Sequence, residues 1–165
     1  MNKQEIVNKV YDHYIIRKEP FGYNGARGGC TYTNPPCAIG IFLTDDDAAT
    51  ITDVRGKDWD DEIESLIVDI YSNGYQLSGP LKEFVLKEEN EDYDPELDAE
   101  EDEFLFAAPF LQELQSCHDD SACAGSVSGI NGPSPRTPED SIKELKKKLK
   151  ELCNRHVLTY PGLDD

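Results

Sequence analysis

The chain is predicted to adopt a mostly α (α+β) fold of five to six helices with one short β-hairpin near residues 30–43. Two observations carry this. Apolar residues recur at three- and four-residue steps over most of the chain, the period of a helix with one buried face. The stretch that reads as paired strands around a turn is short, and glycine and proline bound it. With 165 residues, 38% hydrophobic and 30% charged, the chain can bury about two-thirds of the surface its unfolded form exposes. It also lies above the composition at which disorder is expected throughout.

The elements follow in order. Ile6, Val7, Val10, Tyr11, Tyr14 and Ile15 share one helical face, which predicts a helix over residues 2–17 that ends before Pro20 and Gly22. A glycine-rich loop over residues 22–29 leads to Cys30-Thr31-Tyr32-Thr33, then to the turn Asn34-Pro35-Pro36 and the apolar run 37–43, together the expected hairpin. Thr44 before Asp45, Asp46 and Asp47 has the form of an N-cap with an acidic first turn, where the helix dipole favours negative charge. Ile63, Leu66, Ile67, Ile70 and Tyr71 predict a helix over about 60–73, stopped by Gly74. Pro80 opens a short helix carrying Leu81, Phe84, Val85 and Leu86, and Asp94-Pro95 opens another with Leu97, Phe104 and Leu105 inward. Pro109 restarts the pattern at Phe110, Leu111 and Leu114.

Residues 124–138 have the Gly, Ser, Asn and Pro content of a flexible linker or long loop. Thr137-Pro138-Glu139-Asp140 then starts a last helix, apolar at Ile142, Leu145, Leu149 and Leu152 and basic outside at Lys143, Lys146, Lys147, Lys148, Lys150 and Arg155. The expected organisation is a helical domain over 1–123, the loop 124–138, and a C-terminal helix over 139–158 packing on the same domain. There is no internal repeat. No apolar run approaches the ~18 residues of a membrane span, and the N-terminus leads straight into an amphipathic pattern. A soluble cytoplasmic protein is the expectation. Five cysteines cannot all pair within one chain, and a reducing compartment favours free thiols or metal ligands over disulfides.

Charge is the strongest clue to function. Eleven carboxylates and no lysine or arginine fall within residues 88–103, against a net charge of −18 for the whole chain. Self-repulsion of this kind builds no core, so a ligand or partner that benefits from it is expected. A helix rising ~1.5 Å per residue with acids at most positions approaches the charge density of duplex DNA, one phosphate per ~1.7 Å of axis, so a DNA mimic is physically possible. A second acidic zone, residues 45–69, could complete the face. The candidate partner-binding residues are Asp45, Asp46, Asp47, Asp60, Asp61, Glu62, Glu96, Asp98, Glu100, Glu101, Asp102 and Glu103. The alternative is a solvated, ordinary polar surface. Asp92, Asp94, Glu96, Asp98, Glu100 and Glu103 also match the oxygen spacing of an EF-hand loop, but Leu97 stands where that loop needs glycine, which argues against calcium.

Cys30, Cys37, Cys117, His118 and Cys123 contain enough N and S donors for a tetrahedral zinc ion if the hairpin packs against the end of the Phe110 helix. Neither half has a tight Cys-x2-Cys spacing, and adjacent side chains such as Cys117 and His118 point different ways on a helix. Buried or free thiols are the plain alternative. A Cys37 or Cys30 thiolate activated by His118, itself oriented by Asp119 or Asp120, would supply nucleophile, base and orienter for a small enzyme. The acidic surroundings would hold thiol pKa values up. His13 reads as a satisfied surface or core histidine and His156 as a helix-end cation.

Cys30-Thr31-Tyr32, Cys37-Ala38-Ile39-Gly40 and Leu114-Gln115-Ser116-Cys117-His118-Asp119, with the closing helix through Leu152 to Leu158, resemble the Cys-x-Tyr, Cys-Ala-(Ile/Val)-Gly and Leu-Gln-x-x-His-Asp motifs of a family of small bacterial and phage proteins. The resemblance covers three short patches and implies no known activity. It implies that Cys30, Cys37, His118 and Asp119 belong together as a site. Cys123, the 124–138 segment and the acidic run depart from the pattern. A weaker similarity, of charge and size alone, is to acidic phage anti-defence proteins such as anti-restriction and anti-CRISPR inhibitors, which cover nucleic-acid-binding grooves. The expected function is therefore that of an acidic intracellular inhibitor, phage-encoded, that presents a negative face to a basic protein such as a defence nuclease, with Tyr71, Tyr75, Tyr93 and Trp59 as candidate apolar anchors.

Overall fold

A computed structural model of the chain describes residues 1–24, 29–30, 35–55, 78–80, 109–124 and 134–162. The described part is mostly helical: α1 is Lys3–Tyr11, α2 Asp45–Arg55, α3 Pro109–Ala122 and α4 Pro138–Arg155. Two two-residue ladders accompany them, β1 (Tyr23–Asn24) with β2 (Gly29–Cys30) and β3 (Cys123–Ala124) with β4 (Ser134–Pro135), both antiparallel. The helices expected over 60–73, after Pro80 and after Pro95 lie outside the described residues.

α1 starts with a capping box: Asn2 accepts from the Glu5 N–H (2.9 Å) and the Glu5 carboxylate accepts from the Asn2 N–H (2.9 Å). Its apolar face buries Ile6, Val7, Val10 and Tyr11. The helix continues through Asp12–Ile16 as a π-turn, so the predicted extent holds while the last turn is wider than an α-turn. The Arg17 N–H reaches back to Asp12 O (2.9 Å) and Lys18 takes φ 57° to end it. Gly22 follows where the chain lies directly against the Pro35, Pro36 and Cys37 backbone, leaving no room for a Cβ.

The expected second strand of the hairpin is not formed. Residues 38–42 are a turn followed by a 3₁₀ helix, Gly40–Phe42, and the paired strands lie earlier, with Tyr23 opposite Cys30 and Asn24 opposite Gly29. The reason is burial on all sides. Cys37, Ala38, Ile39 and Phe42 are all in the core, and a continuous apolar run carries no period that separates a strand from a compact helical turn. The Phe42 N–H donates to Ile39 O (3.0 Å) and the Ile41 N–H to Cys37 O (3.2 Å), which closes the turn locally.

α2 begins at Thr44, as the N-cap pattern predicts. Thr44 Oγ1 accepts from the Asp47 N–H (3.1 Å) and the Asp47 carboxylate accepts from the Thr44 N–H (2.9 Å), a capping box with Asp at the third position. α4 has its own cap, with Thr137 Oγ1 accepting from the Asp140 N–H (3.2 Å) and Pro138 at the first position. α4 buries Leu145, Leu149, Leu152 and Cys153, and α3 is its main packing partner. Lys148 pairs with Asp120 (2.9 Å) and Arg155 with Glu113 (2.8 Å) along the seam.

The two ends of the glycine- and serine-rich segment meet. Cys123 pairs with Pro135 and Ala124 with Ser134, and the Arg136 N–H and Nε donate to Ala122 O (3.1 Å) and Cys123 O (3.0 Å). That joins the end of α3 to the start of α4 and sets α4 back against α3. The chain end after α4 returns to α1, where Gln4 and the Thr159 backbone exchange two hydrogen bonds of 2.8 Å. Tyr14, Phe42, Phe110, Ile6 and Ile39 are the largest fully buried side chains of the resulting core.

Candidate functional site

Tyr14 organises one end of this core. The wide turn after α1 directs its ring inward, fully buried, and its hydroxyl donates to Pro36 O (2.7 Å). Burial, with the Asp119 carboxylate adding to it, pushes the phenol far above its ordinary pKa. The Tyr14 ring touches His13 (centroids 4.6 Å apart), Phe21 (4.8 Å) and His118 (5.2 Å). Phe21 in turn lies flat on His118, at 5.1 Å with 26° between the planes. An imidazole therefore sits inside an aromatic cage.

His118 is 0% exposed. Its Nδ1 lies 2.8 Å from Asp119 Oδ1, so in the neutral ring Nδ1 carries the proton and donates it, leaving Nε2 as a bare acceptor. That Nε2 is buried and has no hydrogen-bond partner among the described residues, and the same is true of His13 Nε2. Burial first of all lowers the His13 pKa. Buried polar atoms in folded proteins almost always find a partner, so an acidic residue that orients an imidazole whose other nitrogen is left open is a feature that calls for explanation. Of the two orienters the sequence offered, Asp119 is the one used; Asp120 pairs with Lys148 instead.

Cys117 and Cys123 point elsewhere. Cys117 turns to the α3–α4 seam, its Sγ near Lys148 O (3.9 Å), and burial pushes its thiol up to about 11. Cys123 Sγ donates to Asp119 O (3.3 Å), back onto the last turn of α3. Cys117, Cys123 and Cys153 are free thiols, but Cys37 is disulfide-bonded and buried in the core. The expected reduced thiol at Cys37 is thus corrected: a sulfur in a disulfide offers no thiolate to a metal or a substrate. Cys30 contributes its backbone to β2, which contacts α3. Among the described residues no three His, Cys, Asp or Glu side chains gather as a metal site.

The acidic candidates divide. Asp45 and Asp46 are exposed on the first turn of α2, while Asp47 is 1% exposed and is removed from any contact face. One of its oxygens serves Thr44; the other accepts from the Ser78 N–H (2.6 Å) and Ser78 Oγ (3.0 Å). Burial opposes its charge, but the hydrogen bonds from Ser78 and Thr44 win and hold the carboxyl below its ordinary pKa. Gly79 passes so close that a Cβ there would stand 2.5 Å from Asp47 Oδ2. Asp60, Asp61, Glu62, Glu96, Asp98, Glu100, Glu101, Asp102 and Glu103 lie outside the described residues. Asp47 as an anchor for Ser78 has one partial signal in the sequence, the Thr44-x-x-Asp47 capping pattern. No helix among the described residues is long and apolar enough to cross a membrane. Comparison of the chain with protein-family models, curated proteins and solved structures found no match.

Proposed function

We propose that this chain is an acidic binding protein that inhibits a basic, nucleic-acid-binding partner by occupying its phosphate-binding surface. The observation that carries the reading is the segregation of charge. Residues 56–108 hold 18 of the 34 carboxylates and 3 of the 16 lysines and arginines; the rest of the chain is close to balanced, with 16 carboxylates and 13 cations. The described helices use their charges on one another, as Lys148–Asp120 and Arg155–Glu113 illustrate. Ser78, within the acidic stretch 56–108, donates to Asp47 of α2. A defence nuclease met by a phage-encoded protein in the host cytoplasm is the setting in which such a protein is most useful.

Replacing Glu100, Glu101 and Glu103 by Gln and Asp102 by Asn tests this. The complex with a basic partner should weaken at least tenfold at low salt and lose much of its salt dependence. Undiminished binding would remove this segment from the interface. The Cys/His enzyme reading has the His118–Asp119 pair in its favour, but Cys37 in its disulfide cannot serve as the nucleophile.

A further inference from the structure

A cavity of about 420 Å³ opens where the segment after α1, the end of α3 and the start of α4 come together. Phe21, Ala122 and Ile142 supply its apolar lining, and its volume is that of a small-molecule site. The rest of the lining carries charges of both signs. The segment after α1 contributes Lys18 and Glu19, and the start of α4 contributes Arg136 and Glu139, one cation and one carboxylate from each side. These four differ from the charges of the α3–α4 seam. There Lys148 is matched with Asp120 and Arg155 with Glu113, whereas none of the four belongs to an ion pair among the described residues. Arg136 is half-buried, and its Nε donates to Cys123 O (3.0 Å), which fixes the guanidinium and leaves its two Nη groups for another acceptor. A lining whose charges sum to zero without cancelling in pairs suits a ligand that is neutral overall and carries both signs.

We propose that this cavity binds a free apolar α-amino acid as its zwitterion. Each part of the ligand answers a feature of the lining. The α-carboxylate takes the Nη groups of Arg136, whose planar fork matches two carboxylate oxygens, and Lys18 adds a second positive charge. The α-ammonium is received by the carboxylates of Glu19 and Glu139. The side chain lies against Phe21, Ala122 and Ile142, and its burial is needed because ion pairs made at an exposed rim are individually weak. The inference is independent of the acidic-inhibitor reading, because none of these residues lies within residues 56–108.

Calorimetric titration of the full chain at neutral pH with phenylalanine and three related compounds tests this. Phenylalaninamide lacks the carboxylate, N-acetylphenylalanine lacks the ammonium and glycine lacks the apolar side chain. Phenylalanine should bind at least tenfold more tightly than each, the factor that one charge-assisted hydrogen bond or one buried side chain supplies. The methyl resonances of Ile142 should shift over the same phenylalanine concentrations, which places the bound molecule in this cavity. Arg136→Gln should weaken phenylalanine about tenfold and leave phenylalaninamide unchanged, while Glu139→Gln, at an exposed position, should weaken phenylalanine and leave N-acetylphenylalanine unchanged. No binding of phenylalanine at millimolar concentration, equal affinity for any of the three related compounds, or Ile142 methyls unmoved at saturation would each overturn the proposal. The comparison of the four compounds on the native chain decides it whether or not a variant folds.

Discussion

Val157 is the residue most at odds with its backbone. It ends α4 at φ 55° with its side chain 92% exposed, and the Leu158 N–H closes over it onto Cys153 O (2.8 Å). That is a Schellman turn, whose left-handed position glycine occupies without steric cost and a β-branched residue does not. Val157→Gly should stabilise the fold by about 1 kcal/mol, seen as a higher denaturation midpoint with unchanged m-value. Asp47 is the opposite case, a buried carboxylate whose partners are all in place. Asp47→Asn replaces an acceptor oxygen by a donor and should cost about 2–3 kcal/mol in chemical denaturation, the usual loss at a hydrogen-bonded charge. Because its folded pKa is depressed, its contribution to stability is complete above the ordinary carboxylate pKa and is lost as pH falls through the folded value. Wild type should therefore lose its advantage over Asp47→Asn in acid, and a constant difference down to low pH would show that the carboxylate charge is not what matters.

At the scale of elements, local chemistry was legible where it repeats or caps. The Ile6 to Ile15 spacing located α1, Thr44 and Thr137 marked the starts of α2 and α4, and Leu145, Leu149 and Leu152 showed the buried face of α4. What the sequence concealed depended on contacts made far along the chain. The 37–43 run read as a strand because nothing local distinguishes an all-buried strand from an all-buried turn. The pairing of Cys123 with Pro135 was hidden because a glycine- and serine-rich segment looks the same whether its ends are tied or not. The His118–Asp119 pair could be named from adjacency, but the cage of Tyr14 and Phe21 could not, since it requires α1, the loop at Pro20 and α3 to meet. The α3–α4 seam is the element contact that most of this rests on. Leu149, fully buried there, should cost about 2–5 kcal/mol as Leu149→Ala, enough to unfold a marginal domain at 37 °C. A loss under 1 kcal/mol by denaturant titration would mean that α4 is not integral to the core.

The molecule as a whole combines a nearly balanced helical body with a stretch of chain that holds most of the excess charge. Such an arrangement costs stability through self-repulsion and gains association rate and selectivity toward a positive surface. Added salt should thus act in two directions, screening repulsion within the chain and weakening its complexes. The most direct test of the account is a competition titration: the chain is added to basic nucleic-acid-binding nucleases, alone and pre-loaded with duplex DNA, at low and at physiological salt. The account predicts that a nuclease which binds the chain does so more weakly as salt rises, and that DNA and the chain exclude one another. Simultaneous binding of both, or a complex indifferent to salt, would contradict it.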